Sequence, residues 1–243
     1  NVAAVVNGYI ASVAARFSQK LAQKEGVSGA AVAIETRTWF NPNAIYQWYL
    51  VITLITILAL VITLILTALS VARERELGTF EQLIVSPYTS LEILIGKTVP
   101  PLCLSLIMVS VMTFIAIYGF GLPFTGSFPL FLFSCFIALL SFVGIGLFIS
   151  AISQNQQQAI LGVFAFMMPA ILLSGFISPI EDMPPEMQYL TYLNPIRFFM
   201  NIARGLFLKE MPFSDVFDNL LPLIVIAFMT LTLAGRTFKK NLE

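Results

Sequence analysis

Apolar and polar positions fall in long blocks along this chain, and each block has its own period. In residues 1–25, Val5, Tyr9, Val13 and Phe17 lie four apart, with Val6, Ile10 and Leu21 nearby and Arg16, Lys20 and Lys24 between them. That is the stripe of an amphipathic helix in a water-soluble part, not of a membrane span. Gly26 to Gly29 breaks it. Residues 31–40 then read as a strand, with Val32 and Ile34 alternating and Thr36, Thr38, Trp39 and Phe40 adding β-propensity. One helix and one strand cannot close a core. Residues 1–43 therefore read as the tail of a small α/β domain, and a chain numbered from Asn1 rather than Met as one that begins partway through a longer protein.

From residue 44 the blocks lengthen into membrane spans. Asn41-Pro42-Asn43 makes a turn, flanked by Trp39, Tyr46, Trp48 and Tyr49 as a headgroup-level aromatic belt would be. Uncharged runs predict five spans, at about 46–72, 98–118, 128–152, 159–177 and 220–234. Pro100-Pro101 opens or kinks the second, and Pro169 and Gly175 bend or loosen the fourth. Between the first and second lies 73–89, where Arg73, Glu74, Arg75 and Glu76 precede Leu77, Phe80, Leu83 and Ile84. Their spacing predicts a short amphipathic helix at the water boundary, suited to docking a soluble partner. Thr89 and Glu92 have the spacing of a capping box for the next helix. Residues 153–158, SQNQQQ, form a polar turn, and 178–218 an outer interfacial or re-entrant segment. Within that segment Asn194-Pro195 is a turn, and Arg197, Asn201 and Arg204 share a helical face opposite Ile196, Phe199, Met200 and Phe207. This hairpin reads either as a gate at the outer mouth, with Pro179, Asn194, Pro195 and Arg197 as its residues, or as a connector lying on the membrane.

Composition agrees with this division. Of the 243 residues 58% are hydrophobic and only 11% charged, against roughly 25% charged in soluble domains. The fold class is thus an all-α polytopic membrane protein with five transmembrane helices in this chain, plus the tail of the α/β extracytoplasmic domain. Zero net charge points to no nucleic-acid partner. Cys103 and Cys135 sit in apolar runs as small core hydrophobes, and the absence of histidine removes most zinc and haem chemistry, so no metal site is expected. Arg73, Arg75 and Lys97 share a side with Arg236, Lys239 and Lys240 if five spans intervene; that side is cytoplasmic, and the C-terminus with it.

Candidate chemistry is sparse. The span cores as drawn hold no Asp, Glu, Lys or Arg, which argues against proton- or sodium-coupled transport. Gly96-Lys97-Thr98 looks like the end of a phosphate-binding loop, but its earlier glycine would fall at Leu91 and no strand precedes it. No catalytic residue and no nucleotide site are expected. In the first span Thr53, Thr56, Thr63, Thr67 and Ser70 recur at steps of three, seven, four and three, forming one stripe. It reads either as the lining of a substrate path or as a close-packing face between helices.

The run VARERELGTFEQLIVSPYTSLEILIGKTVP resembles the segment after the second span of ABC type-2 exporter permeases. The run LSGFISPIEDMPPEMQYLTYLNPIRFFMNIARGLFLK resembles the outer re-entrant segment between their fifth and sixth spans. The likeness covers about residues 41–240. It implies six spans in the family, the first absent here, and a large outside domain between the first two in the bacterial drug-efflux-like subgroup. It implies a dimer, with a second identical or different permease subunit, bound to cytoplasmic ABC ATPase subunits. ATP and Mg would be held by those subunits and no cofactor by this chain; the family leaves room for a periplasmic adaptor. On this likeness Arg73, Glu74, Arg75, Glu76, Gly78, Thr79, Glu81 and Gln82 belong to the ATPase-coupling region. Thr53, Thr56, Thr63, Thr67, Phe164 and Met168 line the path. The expected location is the bacterial inner membrane.

The expected function is therefore export of a small or amphipathic molecule, with ATP hydrolysed on a separate subunit. The rival is a membrane scaffold that docks a soluble partner and transports nothing. A polar path continuous across the dimer favours the first, and a dry interface the second.

Overall fold

The computed structural model describes residues 2–25, 46–79, 82 and 87–242. The chain divides into two units, Asn1–Ala44 and Ile45–Glu243. In the first, Val2–Glu25 forms helix α1, with Tyr9, Val13 and Phe17 exposed along one stripe. The strand expected at 31–40 lies outside the described residues. Every element among the described residues is helical, so the α/β reading of this unit gains no support.

The second unit contains α2 (Tyr46–Glu76), α3 (Ser90–Gly119), α4 (Phe128–Ile152), α5 (Gln156–Leu172), a single 3₁₀ turn (Ile180–Asp182), α6 (Pro185–Thr191), α7 (Pro195–Leu208) and α8 (Phe213–Leu242). Four of these are long and apolar enough to cross a membrane: Gln47–Glu76, Leu91–Gly119, Phe128–Ile152 and Phe213–Phe238. The run expected as a span at 159–177 is a shorter apolar helix of 17 residues. At about 1.5 Å per residue it falls short of a ~30 Å hydrocarbon core. The second span, expected at about 98–118 and opened or kinked by Pro100-Pro101, is part of one continuous helix, α3, that starts at Ser90. It runs through both prolines, which supply no N–H to the carbonyls of Gly96 and Lys97.

Helix α4 is the centre of the bundle. It packs most extensively against α8 and α2 and is buried along most of its length. Membrane helices associate by close packing, because lipid is as apolar as leucine. Glycine makes that approach possible here. A Cβ built at Gly146 would lie 1.8 Å from Thr67 Oγ1 of α2, and one at Gly144 2.4 Å from Thr230 Oγ1 of α8. Toward the start of α4, Phe131 meets Phe207 of α7 edge to face at 5.4 Å, and Phe124 meets Phe207 at 5.0 Å. At the opposite end Val71, Ile93 and Phe238 form a separate small cluster that joins α2, α3 and α8.

One side chain of α4 enters the backbone of α2. The buried Ser150 hydroxyl donates to the Ala68 carbonyl at 2.5 Å and accepts from the N–H groups of Val71 and Ala72 at 3.2 and 3.1 Å. These bonds fall immediately before Arg73, and α2 continues through them to Glu76.

Two expectations follow from this packing. Gly146→Ala forces a methyl group against Thr67 and should cost about 1–3 kcal/mol, read as a lowered thermal midpoint in one detergent; an unchanged midpoint would contradict the close approach. Ser150→Ala removes three buried hydrogen bonds between α4 and α2 and should also cost about 1–3 kcal/mol. Equal stability of that variant would mean the α2 backbone closes its own hydrogen bonds.

Candidate functional site

The charged end of α2 is built by a glycine. Gly78 has φ +72°, and the N–H of Thr79 bonds the Glu74 carbonyl at 3.0 Å while that of Gly78 bonds the Arg75 carbonyl at 3.1 Å. This is a Schellman ending, in which the left-handed residue costs glycine nothing. It fixes where the chain leaves the helix. Glu74, Arg75 and Glu76 then each reach a different neighbour. Glu74 pairs with Lys97 of α3 in a half-buried ion pair. Arg75 Nη1 donates to the Ser153 carbonyl at 3.1 Å. Glu76 accepts from the backbone and side-chain amides of Gln156 at 2.9 and 3.2 Å, so a carboxylate sits at the positive N-terminus of α5. The turn itself is capped by Asn155, which accepts from the Gln158 N–H at 2.8 Å.

Three of the eight coupling candidates thus tie α2 to α3 and to the α4–α5 turn. Arg73, Gly78, Thr79 and Gln82 are exposed beside them. Glu81 lies outside the described residues, as does most of the amphipathic helix expected after Leu77. The capping box at Thr89 and Glu92 forms: Glu92 accepts from the Thr89 N–H at 2.7 Å and donates its own N–H to Thr89 Oγ1 at 3.4 Å.

The threonine stripe is sealed within this chain. Thr53, Thr56, Thr63 and Thr67 are each at most 1% exposed. Each hydroxyl donates to the carbonyl four residues earlier, at 2.9, 3.2, 2.6 and 2.7 Å respectively. Thr67 faces Gly146, so at that position the stripe is a packing face between α2 and α4. Phe164 and Met168 lie on the exposed side of α5, Met168 at 63%. A single chain therefore does not bring the six path candidates around one cavity.

The outer candidates separate in a similar way. Pro179 is exposed and Pro195 is buried at the first position of α7. Asn194 is buried; its amide donates to the Ala170 carbonyl at 2.6 Å and accepts from the Ile196 N–H at 3.1 Å. It joins the end of α5 to the start of α7. Arg197 bonds the Thr191 hydroxyl and lies 4.2 Å over the Tyr192 ring.

Three residues absent from the candidates do comparable work. The Arg204 guanidinium lies 4.3 Å over the Tyr49 ring, donates to its hydroxyl at 2.7 Å, and reaches Met200 Sδ at 2.9 Å. Tyr49 in turn donates to the Phe176 carbonyl at 3.2 Å. Together with Ser150 these residues fix both ends of α2. A tyrosine near a span end and an arginine on an amphipathic helix are separate signals in the sequence, 155 positions apart, with nothing to pair them. Among the described residues no group of His, Cys, Asp and Glu is arranged to hold a metal ion.

Comparison with known proteins shows the family. The model of the family described as ABC-2 family transporter protein matches residues 1–236. Over 241 residues the chain is 42% identical to the probable multidrug ABC transporter permease YbhR of Escherichia coli K12, covering 99% of this chain and 65% of that one. It is 34% identical over 245 residues to the probable multidrug ABC transporter permease YbhS of the same organism, again 65% of its length. It is 31% identical over 243 residues to the inner membrane transport permease YhhJ, 62% of its length. The chain thus spans somewhat under two thirds of each of these relatives. With a family model matched along nearly its whole length, the chain belongs to the ABC-2 family of transporter proteins.

Proposed function

We propose that this chain is the membrane-spanning permease part of an ATP-driven exporter, moving a small or amphipathic molecule out of the cytoplasm while a separate ABC ATPase subunit hydrolyses ATP. Family membership supports the class, and the names of YbhR and YbhS, multidrug permeases, support the substrate type. The observation that carries the mechanism is the charged end of α2. Through Glu74, Arg75 and Glu76 it holds α3 and the α4–α5 turn together. A push on the exposed Arg73–Thr79 surface by a soluble partner would reach three helices at once. A nucleotide-driven partner needs only to bind two arrangements of this junction with different affinity to drive alternate access.

The orientation follows from charge. Packing of Val71, Ile93 and Phe238 brings the charged end of α2 beside Lys97, Arg236 and Lys240. Cations concentrated at one end of a bundle favour the cytoplasmic side, which puts the ATPase there and the α5–α7 segment outside. The inner membrane of a bacterium is the matching location. With the threonine stripe closed inside one chain, the path would run along the exposed Phe164–Met168 face of α5, at the contact with a second permease subunit. ATP and Mg belong to the ATPase subunit.

The first test is co-expression of the full-length protein with its ABC ATPase, followed by copurification and ATP hydrolysis with and without candidate substrates. A stable, substrate-stimulated complex is expected; absence of any bound ATPase across several detergents would favour the scaffold. Within that complex Glu74→Gln should leave the thermal midpoint nearly unchanged yet reduce substrate-stimulated hydrolysis about tenfold, the size of a typical coupling energy. Exchanging the charges, Glu74→Lys with Lys97→Glu, should restore much of it. If Glu74→Gln keeps full stimulation, the Glu74–Lys97 pair plays no part in coupling.

A further inference from the structure

One face of α8 is packed against α4 only at Thr230 and is otherwise largely open. Phe228, Met229, Thr230, Thr232, Leu233 and Arg236 line a groove of about 370 Å³ along it. Phe228, Met229 and Leu233 keep half or more of their surface exposed. The polar groups in the lining are nearly all spent. Thr232 donates to the Phe228 carbonyl at 2.6 Å, and Thr230 to the carbonyls of Ala227 and Ser141 at 3.1 and 3.4 Å. The exception is Arg236. It is exposed and makes no ion pair among the described residues. Lys240, also exposed, follows one turn later.

The register of α8 makes this arrangement fixed. Phe238 is buried against Val71 and Ile93, and Gly235 lies over Leu94, where a Cβ would stand 3.5 Å from that side chain. With those positions turned inward, Arg236 and Lys240 are held outward at the end of the apolar groove. From Phe228 to Arg236 is eight residues, about 12 Å of helix rise. That is most of the ~15 Å depth of one leaflet's hydrocarbon. The groove therefore presents an apolar wall along a leaflet and a lone guanidinium where headgroup phosphates lie. A cation at that depth is stabilised by an anion, and guanidinium matches phosphate geometry.

We propose that this groove binds an anionic phospholipid, with the phosphodiester taken by Arg236, Lys240 supporting it, and an acyl chain lying over Phe228, Met229 and Leu233. Apolar walls without a free donor would suit any chain; the pair of cations selects the headgroup. The inference rests on α8 crossing the bilayer and not on export, so the two can fail separately.

The test uses the full chain in nanodiscs of phosphatidylcholine alone or mixed with phosphatidylglycerol, released gently and weighed by native mass spectrometry. Preferential retention of phosphatidylglycerol is expected. Arg236→Gln should weaken that retention about tenfold, equivalent to one 1.4 kcal/mol step, and Arg236→Lys should keep most of it. Arg236 is exposed, so these variants should fold alike, and an unchanged thermal midpoint in detergent confirms it. Met229→Ser should weaken retention of both lipids. Equal retention of the two lipids by the parent chain overturns the proposal, as does full phosphatidylglycerol retention by Arg236→Gln. Displacement of the lipid by inorganic phosphate alone would reduce the site to an anion contact and overturn the acyl groove. Loss of a dimer in Arg236→Gln, with lipid retention unchanged, would assign the face to a second copy instead.

Discussion

Close backbone approach around α4 is the constraint on which the bundle depends. Inside a bilayer there is no water to be released when helices meet, so side-chain size decides which faces associate. Gly144 and Gly146 remove the Cβ atoms that would collide with Thr230 and Thr67. The threonines that fill the space cannot leave a hydroxyl unpaired, and each returns its proton to its own helix. This solves two problems at once: the polar atoms are satisfied without a partner helix, and the helix surface stays narrow. It also explains why a stripe of hydroxyls on α2 is buried in one chain. The same residue types that suit a polar channel suit a tight helix contact, and the glycine facing Thr67 decides between them.

With its middle locked against α4, α2 behaves as a rod held at both ends by polar contacts. Near Tyr49 it is tied to Arg204 of α7 and to the carbonyl of Phe176. At Glu74–Glu76 it is tied to α3 and to the α4–α5 turn. Between these ties Ser150 of α4 bonds the α2 backbone at Ala68, Val71 and Ala72. These contacts together hold the register of α2 from Tyr49 to Glu76.

Much of this was legible in the sequence, and the reasons for the rest are specific. Long uncharged runs marked α2, α3, α4 and α8, because hydrocarbon thickness imposes a length that composition reveals. The capping box at Thr89 and Glu92 was readable because its partners lie three residues apart. Family resemblance rested on two runs with characteristic order, 71–100 and 173–209, and the family comparison agrees with it. The length of α3 was underestimated because Pro100-Pro101 read as either the start of a span or a kink in it, although a membrane helix tolerates prolines that a soluble one would not. The ends of α2 were missed for another reason. Ser150 to Ala68 and Tyr49 to Arg204 are contacts between residues far apart in the chain, and no local pattern encodes them.

The short helix α5 shows how the bilayer shapes what lies beyond a helix end. Pro169 has no N–H to give to Ala165, and the helix stops at Leu172. Its last carbonyls would then face hydrocarbon, where an unpaired backbone group costs several kcal/mol. They are satisfied locally and by the neighbouring segment: Ser174 donates to Ile171 at 2.6 Å, and Asn194 donates to Ala170 at 2.6 Å. The segment after α6 therefore returns to the end of α5, where Asn194 makes this bond. The same residue accepts from the Ile196 N–H and so starts α7, whose apolar face is buried against α2, α4 and α8. The shortness of α5 is thus matched by α7: Asn194 takes up a carbonyl at the end of the one and opens the other.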